Sequence, residues 1–196
     1  MKKKYDFLFA GVGGQGTILT SDILSEVGLR CGYDVKKSEV HGMSQRGGAV
    51  ESHVRWGENV FSPLIEEGEP DFLLAFEMLE SARWRHFLSA KTSVIVNRHR
   101  VLPPAVNLGQ AQYPTESEIE QMLKEAGANV TWVDGAAKAI ELGNQALGGV
   151  VLLGVLSSLL DESVEVWEAA IAEMVPERFR NLNIEAFRAG RGMARQ

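Results

Sequence analysis

The chain has one cysteine, Cys31, in 196 residues. It cannot close an internal disulfide, and it cannot ligate an iron–sulfur cluster alone. Cys31 falls at the expected end of the first helix, where the helix dipole disfavours a thiolate. It therefore reads as a quiet, buried or half-buried thiol rather than a nucleophile. Histidine is equally sparse: the four, at positions 41, 53, 86 and 99, show no metal-ligand spacing such as HExxH, so no metal site is expected. Long hydrophobic runs are missing too. The most apolar stretch, 146–160, is too short for a bilayer and is interrupted by Gly148, Gly149, Gly154 and two serines, so it reads as a core helix or a partner-facing one. Positive charge is in the minority: a net charge of -6 and a pI near 5.3 argue against nucleic acid or an anionic membrane as main partner. The basic start Met1-Lys2-Lys3-Lys4 is interrupted by Asp6 and precedes an apolar run too short for a signal peptide, so a cytoplasmic location is expected.

What is present, 45% hydrophobic and 23% charged residues, suits one globular domain over residues 1–196. The chain is organised around residues 5–16. The buried run Phe7-Leu8-Phe9-Ala10 ends at Gly11-Val12-Gly13-Gly14-Gln15-Gly16, and a helical pattern starts at once, with Leu19, Ile23 and Val27 at i, i+4, i+8 and Leu24 beside them. This is a Rossmann-like strand, glycine turn and helix. Such a turn seats a phosphate at the helix N-terminus, or it serves close packing alone. Glu39 stands where a ribose-binding acid would be sought.

A second strand is expected over 33–37. After it comes Ser38-Glu39-Val40-His41-Gly42-Met43-Ser44-Gln45-Arg46-Gly47-Gly48, polar and without period, which reads as a loop. Alternation over 49–56 predicts a strand, and Gly57-Glu58-Asn59 turns it into 60–65, a β-hairpin inserted where a simple Rossmann unit carries a helix. Strands at 72–76, 93–96 and 129–133 alternate with helices at 77–88, 115–126 and 136–142, and residues 98–114, holding three prolines, form a loop. Thr115 or Ser117 caps the 115–126 helix. Trp167, Ala170, Ile171 and Met174 mark an amphipathic helix ended by Pro176. The expected class is α/β, Rossmann-like, with a mostly parallel sheet, helices on both faces and the inserted hairpin. The carboxyl ends of the strands carry the site in such a sheet, so the 11–16 turn and the 38–48 loop should face each other. Arg46, between Gln45 and two glycines, suits a bidentate anion contact, or a structural arginine within a turn network.

Together, the 11–16 turn, the 38–48 loop, Ser62-Pro63-Leu64-Ile65, residues 71–77, Leu142-Gly143-Asn144 and the 183–190 tail resemble the gamma-type domain of 2-oxoacid:ferredoxin oxidoreductases over nearly the whole chain. The resemblance implies the small subunit of an enzyme that decarboxylates an aryl 2-oxoacid such as indolepyruvate on thiamine diphosphate. Such an enzyme passes the acyl group to coenzyme A and sends electrons through iron–sulfur clusters to ferredoxin. It further implies that the thiamine diphosphate and the clusters lie on the large alpha subunit, that this chain alone binds neither, and that coenzyme A is the co-substrate. Gly11, Gly13, Gly14, Gln15 and Gly16, with Ser38, Glu39, His41, Gly42, Met43, Ser44, Gln45, Arg46, Gly47 and Gly48, would then face substrate, cofactor or partner, and no catalytic residue is assigned. An obligate heteromer is expected, with a homo-oligomer or sticky monomer when the chain is alone. The residues by themselves leave two further readings open: an NAD(P)- or flavin-linked oxidoreductase, and a non-catalytic nucleotide- or acyl-carrier-binding module.

Overall fold

The computed structural model describes residues 2–41 and 48–194, the His41 side chain excepted. Strand β1 (Tyr5–Val12) runs through the middle of a sheet and feeds helix α1 (Thr17–Arg30). Then follow β2 (Asp34–His41), β3 (Ala49–Gly57), β4 (Phe72–Ala75), α2 (Met78–Arg83), β5 (Ser93–Asn97), α3 (Pro104–Asn107), α4 (Glu116–Glu125), β6 (Asn129–Val133), α5 (Gly135–Glu141), α6 (Gly148–Ser157), α7 (Val164–Met174) and α8 (Arg180–Met193). The strand order is β2-β3-β1-β4-β5-β6. Strands β1, β4, β5 and β6 are mutually parallel, whereas β3 runs antiparallel to both β1 and β2. The sheet is therefore mixed, with β3 as the one reversed strand.

Side-chain alternation divides the core in two. Phe7, Phe9, Val54, Trp56 and Leu74 meet α1, α6, α7 and α8 on one face, while Leu8, Ala10, Leu73, Val94 and Val96 meet α2 and α4 on the other. In α1 the buried stripe is Thr20, Ile23, Leu24 and Val27. Leu19, expected in that stripe, is instead exposed, because it lies one residue off the face that turns toward the sheet. Helix α6 is buried along its whole length. Most of the apolar stretch at 146–160 fills the core, and only Ala146 and Leu159, near its ends, are exposed. Among the described residues no helix is long and apolar enough to cross a membrane. Cys31 caps α1 half-buried, with burial pushing its thiol up, in line with a quiet thiol.

Several local expectations are corrected. The hairpin exists, but its strands are β2 and β3, and residues 60–65 form no strand. The backbone groups there are claimed by side chains: Val60 N–H donates to Asp34 Oδ2 at 2.8 Å and Ile65 N–H to His53 Nδ1 at 3.2 Å. The carbonyls of Ser62 and Leu64 accept from Arg55 Nη1 at 3.1 and 2.8 Å. Residues 38–41, read as loop, extend β2 because each finds a ladder partner on β3 from His53 to Val50. The 77–88 helix tightens into a 3₁₀ turn after Arg83, and the proline-rich 98–114 stretch holds the short α3. The 115–126 helix is capped as expected, with Thr115 and Glu118 forming a reciprocal capping box.

His53 sits buried beneath the 58–65 segment, its Nδ1 accepting from Ile65 and its Nε2 3.8 Å from Glu51 Oε1. Burial, and then the Arg55 charge, lower its proton affinity from the ordinary 6.5. The unfolded chain then binds this proton more tightly than the folded one, so the stabilisation is complete above the unfolded value and is lost as pH falls through it toward the folded value. We expect the melting temperature of the wild type to fall more steeply between pH 7 and pH 5 than that of His53→Gln. Parallel slopes would show that His53 does not titrate across folding.

Candidate functional site

The carboxyl ends of β1, β4, β5 and β6 meet the N-termini of α1, α5 and α6 around an open cavity of ≈ 290 Å³. Its walls include Gly13, Gly14, Gln15, Phe76, Asn97, His99, Ile140 and Gln145. This is the edge at which ligands bind in open α/β sheets. A charged groove of ≈ 390 Å³ between α7 and α8 lies elsewhere, in the helical layer. There Arg188 is paired with Glu168, and Arg191 is bonded to Ser157.

The glycine turn is built as expected, and the N–H groups of Gly13 and Gln15 within it are already bonded. Gly16 takes φ 79° as the α1 N-cap, a conformation that a side chain resists. Gly11 has no room for a Cβ, which would sit 2.8 Å from Thr17 Oγ1 and 3.1 Å from Phe76 Cβ. Gly13 N–H donates to Gly48 O at 2.9 Å, which joins the turn to the start of β3. Gln15 folds back over the turn: Oε1 accepts from Val12 N–H at 2.7 Å, and Nε2 donates to Phe76 O at 3.3 Å. In a phosphate-binding turn such N–H groups face the anion. Here Gly13 and Gln15 act as staples of the fold.

Asn97, which the sequence reading passed over, mirrors Gln15 from the other side. Its Nδ2 donates to the same Phe76 carbonyl at 3.3 Å, and its Oδ1 accepts from Ala136 N–H at 3.0 Å. One carbonyl thus ties the ends of β1, β4 and β5 and the start of α5. The available signal was a polar residue directly after the buried run Val94-Ile95-Val96. Glu77 was missed as well. Buried at the same edge, it accepts from Glu80 N–H at 3.1 Å, Val101 N–H at 2.9 Å and the Tyr113 hydroxyl, which holds the segment after β5 against α2. Burial and the Glu77 contact push the Tyr113 phenol up, so it stays a donor. Gly149 brings α6 against α1: a Cβ there would overlap Thr20 Oγ1 and lie 2.8 Å from Phe76 Cε1.

The second predicted loop is only partly within view. Gly48 reaches Gly13, so its end of the loop adjoins the glycine turn as expected. Gly42, Met43, Ser44, Gln45, Arg46 and Gly47 lie outside the described residues, as does the side chain of His41. Ser38 and Glu39 sit within β2, opposite His53 and Ser52. Because β3 separates β2 from β1, Glu39 is two strands away from the turn. Its carboxylate pairs with Lys37, which also binds Asp22. That is not the position of a ribose-binding acid, which sits on the strand adjacent to β1.

Among the described residues no group of three or more His, Cys, Asp or Glu could hold a metal ion. With a single cysteine, the residues do not fit an iron–sulfur cluster. Among the described residues the cavity walls contain no lysine or arginine. The cavity walls offer glycine backbone, the Gln145 amide and the His99 ring, beside the exposed apolar side chains of Ile18, Leu19 and Ile140.

Comparison with known proteins agrees with this architecture. The family described as pyruvate ferredoxin/flavodoxin oxidoreductase matches residues 6–193. The indolepyruvate oxidoreductase subunit IorB of Archaeoglobus fulgidus is 37% identical over 193 residues, covering 97% of this chain and 96% of that protein. The solved keto/oxoacid ferredoxin oxidoreductase gamma subunit of Geobacter sulfurreducens superposes with a TM-score of 0.72 at 25% identity, over 97% of this chain and 98% of its own. The fold also occupies 32% of a longer chain in the 2-oxoglutarate:ferredoxin oxidoreductase of Magnetococcus marinus, solved with 2-oxoglutarate, coenzyme A and succinyl-CoA, with a TM-score of 0.77, 20% identity and all of this chain covered. The match runs from the first strand to the last helix, and this chain belongs to the pyruvate ferredoxin/flavodoxin oxidoreductase family.

Proposed function

We propose that this chain is the small subunit of a 2-oxoacid:ferredoxin oxidoreductase acting on an aryl pyruvate such as indolepyruvate. The observation that carries this is full-length similarity to an indolepyruvate oxidoreductase subunit, in a chain whose own residues offer no redox centre. Thiamine diphosphate and the clusters belong to the large alpha subunit, where decarboxylation and electron transfer to ferredoxin take place. This chain's part is to present the carboxyl edge, with its cavity and apolar rim, and residues 38–48 to that subunit in the cytoplasm. Coenzyme A, as co-substrate, carries several negative charges, and the described cavity has no cation to meet them. Arg46, in the segment between β2 and Gly48, is the residue suited to do so.

Nothing favours the two readings left open. A dinucleotide would need the turn N–H that Gly13 gives to Gly48, and an acid at the carboxyl end of a parallel strand beside β1, where the antiparallel β3 stands instead. The test is reconstitution. The chain alone should be colourless, fail to oxidise indolepyruvate and show no micromolar heat of binding with NADH, while addition of the large subunit should restore oxidation. Arg46→Ala should lower turnover of the complex about 30-fold, the equivalent of ~2 kcal/mol for a charge-assisted contact, and leave the isolated chain's melting temperature unchanged. Micromolar NADH binding overturns the subunit reading. A large fall in melting temperature with normal turnover makes Arg46 structural.

A further inference from the structure

The segment between β3 and β4 holds the most exposed aromatic residue of the fold. Phe61 is 97% exposed and Leu64, three residues on, is 54% exposed. They are not on a slack loop. Arg55 grips the Ser62 and Leu64 carbonyls, Asp34 holds the Val60 N–H, His53 the Ile65 N–H, and the Ser62 hydroxyl the Leu64 N–H at 3.2 Å. Arg55 is anchored in turn by the buried Asp6, at 2.8 and 3.3 Å. Val60 and Ile65 are buried on either side, so the backbone is seated while the two apolar side chains between them point away from it. An aromatic ring held in water on a backbone secured by five surrounding hydrogen bonds contributes nothing to this chain's own core. It is arranged as an interface anchor is: a large apolar side chain on a backbone already ordered before binding.

The surroundings indicate the occupant. Glu58, Glu66 and Glu67 flank the anchor, all exposed and none with a cation within ion-pair distance among the described residues. A second copy of this chain would bring the same acids, on a molecule of net charge -6, against them. A basic surface would complement them. We propose that residues 58–67 dock the large subunit, with Phe61 and Leu64 entering an apolar pocket whose rim carries lysine or arginine. This rests on the small-subunit reading above, and it places a contact distinct from the cavity, since the segment follows the end of β3 that lies beside Tyr5, opposite the glycine turn.

The experiment measures binding of the large subunit to the immobilised chain, at several salt concentrations. Phe61→Ser with Leu64→Ser should weaken binding about 30-fold or more, as for a paired hot spot, with the melting temperature unchanged because neither side chain is buried. Glu58→Gln with Glu66→Gln and Glu67→Gln should mainly slow association and flatten its salt dependence. Leu159→Ser, at a leucine 49% exposed on the helical layer, is the control and should bind normally. Normal binding by the double serine variant overturns the docking site and leaves the small-subunit reading standing. Failure of the wild-type chain to bind removes both. Loss of self-association by the double variant, with normal binding of the large subunit, assigns the patch to a second copy and overturns the proposal.

Discussion

Alanine at Gly190 is expected to lower the melting temperature of the chain by roughly 10 °C, and alanine at Gly154 to do the same, although each adds one methyl group. Helices α6 and α8 cross with their backbones in contact. A Cβ on Gly190 would overlap the Val151 carbonyl oxygen and come within 3.1 Å of Gly154 Cα; a Cβ on Gly154 would overlap the Phe187 carbonyl oxygen and lie 2.9 Å from Arg191 N. A side chain could rotate away, but backbone cannot, so the helices must separate. Overpacking of this kind costs about 3 kcal/mol, and a chain of this size loses a few degrees per kcal/mol. The consequence extends to the site, because α6 begins at Gly148 and Gly149, two walls of the cavity. Thermal unfolding of the two variants checks it. A melting temperature within 2 °C of wild type would mean that the crossing has slack.

Asp6→Ala is expected to be similarly severe, through charge rather than volume. Asp6 is buried and binds Arg55 through both oxygens, with Lys4 Nζ at 2.9 Å. Removing it strands the partly buried guanidinium of Arg55, whose remaining partners are two carbonyls of the 58–65 segment. Breaking one side of such a pair costs about 3 kcal/mol. The denaturation midpoint should fall accordingly, and Asp6→Asn, which keeps an acceptor, should lose less. If the alanine and asparagine variants unfold together near the wild-type midpoint, the Asp6–Arg55 pair holds neither β1 nor the segment beyond β3.

Much of the core could be read directly from local pattern. Phe7-Leu8-Phe9-Ala10 before three spaced glycines allows little but a buried strand entering a tight turn, and Thr115 with Glu118 three residues on announces its helix start. The hairpin was misread because pairing is a choice between distant partners. Residues 60–65 have a strand's composition, but Arg55, Asp34 and His53 take the backbone groups that a ladder needs. Composition alone was equally silent on which apolar stretch meets a partner. Residues 146–160 look like surplus hydrophobic surface until α1, α5 and α8 close around them. Phe61, an ordinary residue in sequence, is the most exposed large hydrophobic among the described residues.

The sequence by itself determined the α/β class, the strand–glycine–helix opening and, through its motifs, the family. Those properties depend on residue type and short-range spacing. Only the tertiary structure decided that β3 inserts between β1 and β2, which carries Glu39 two strands from the turn and sets Gly48 against the Gly13 N–H. It also decided that Gln15 and Asn97 converge on the Phe76 carbonyl. The physical reason is the same in each case: a hydrogen-bonding group is available for function only if no other part of the chain reaches it first, and residues far apart in sequence meet only in the folded sheet.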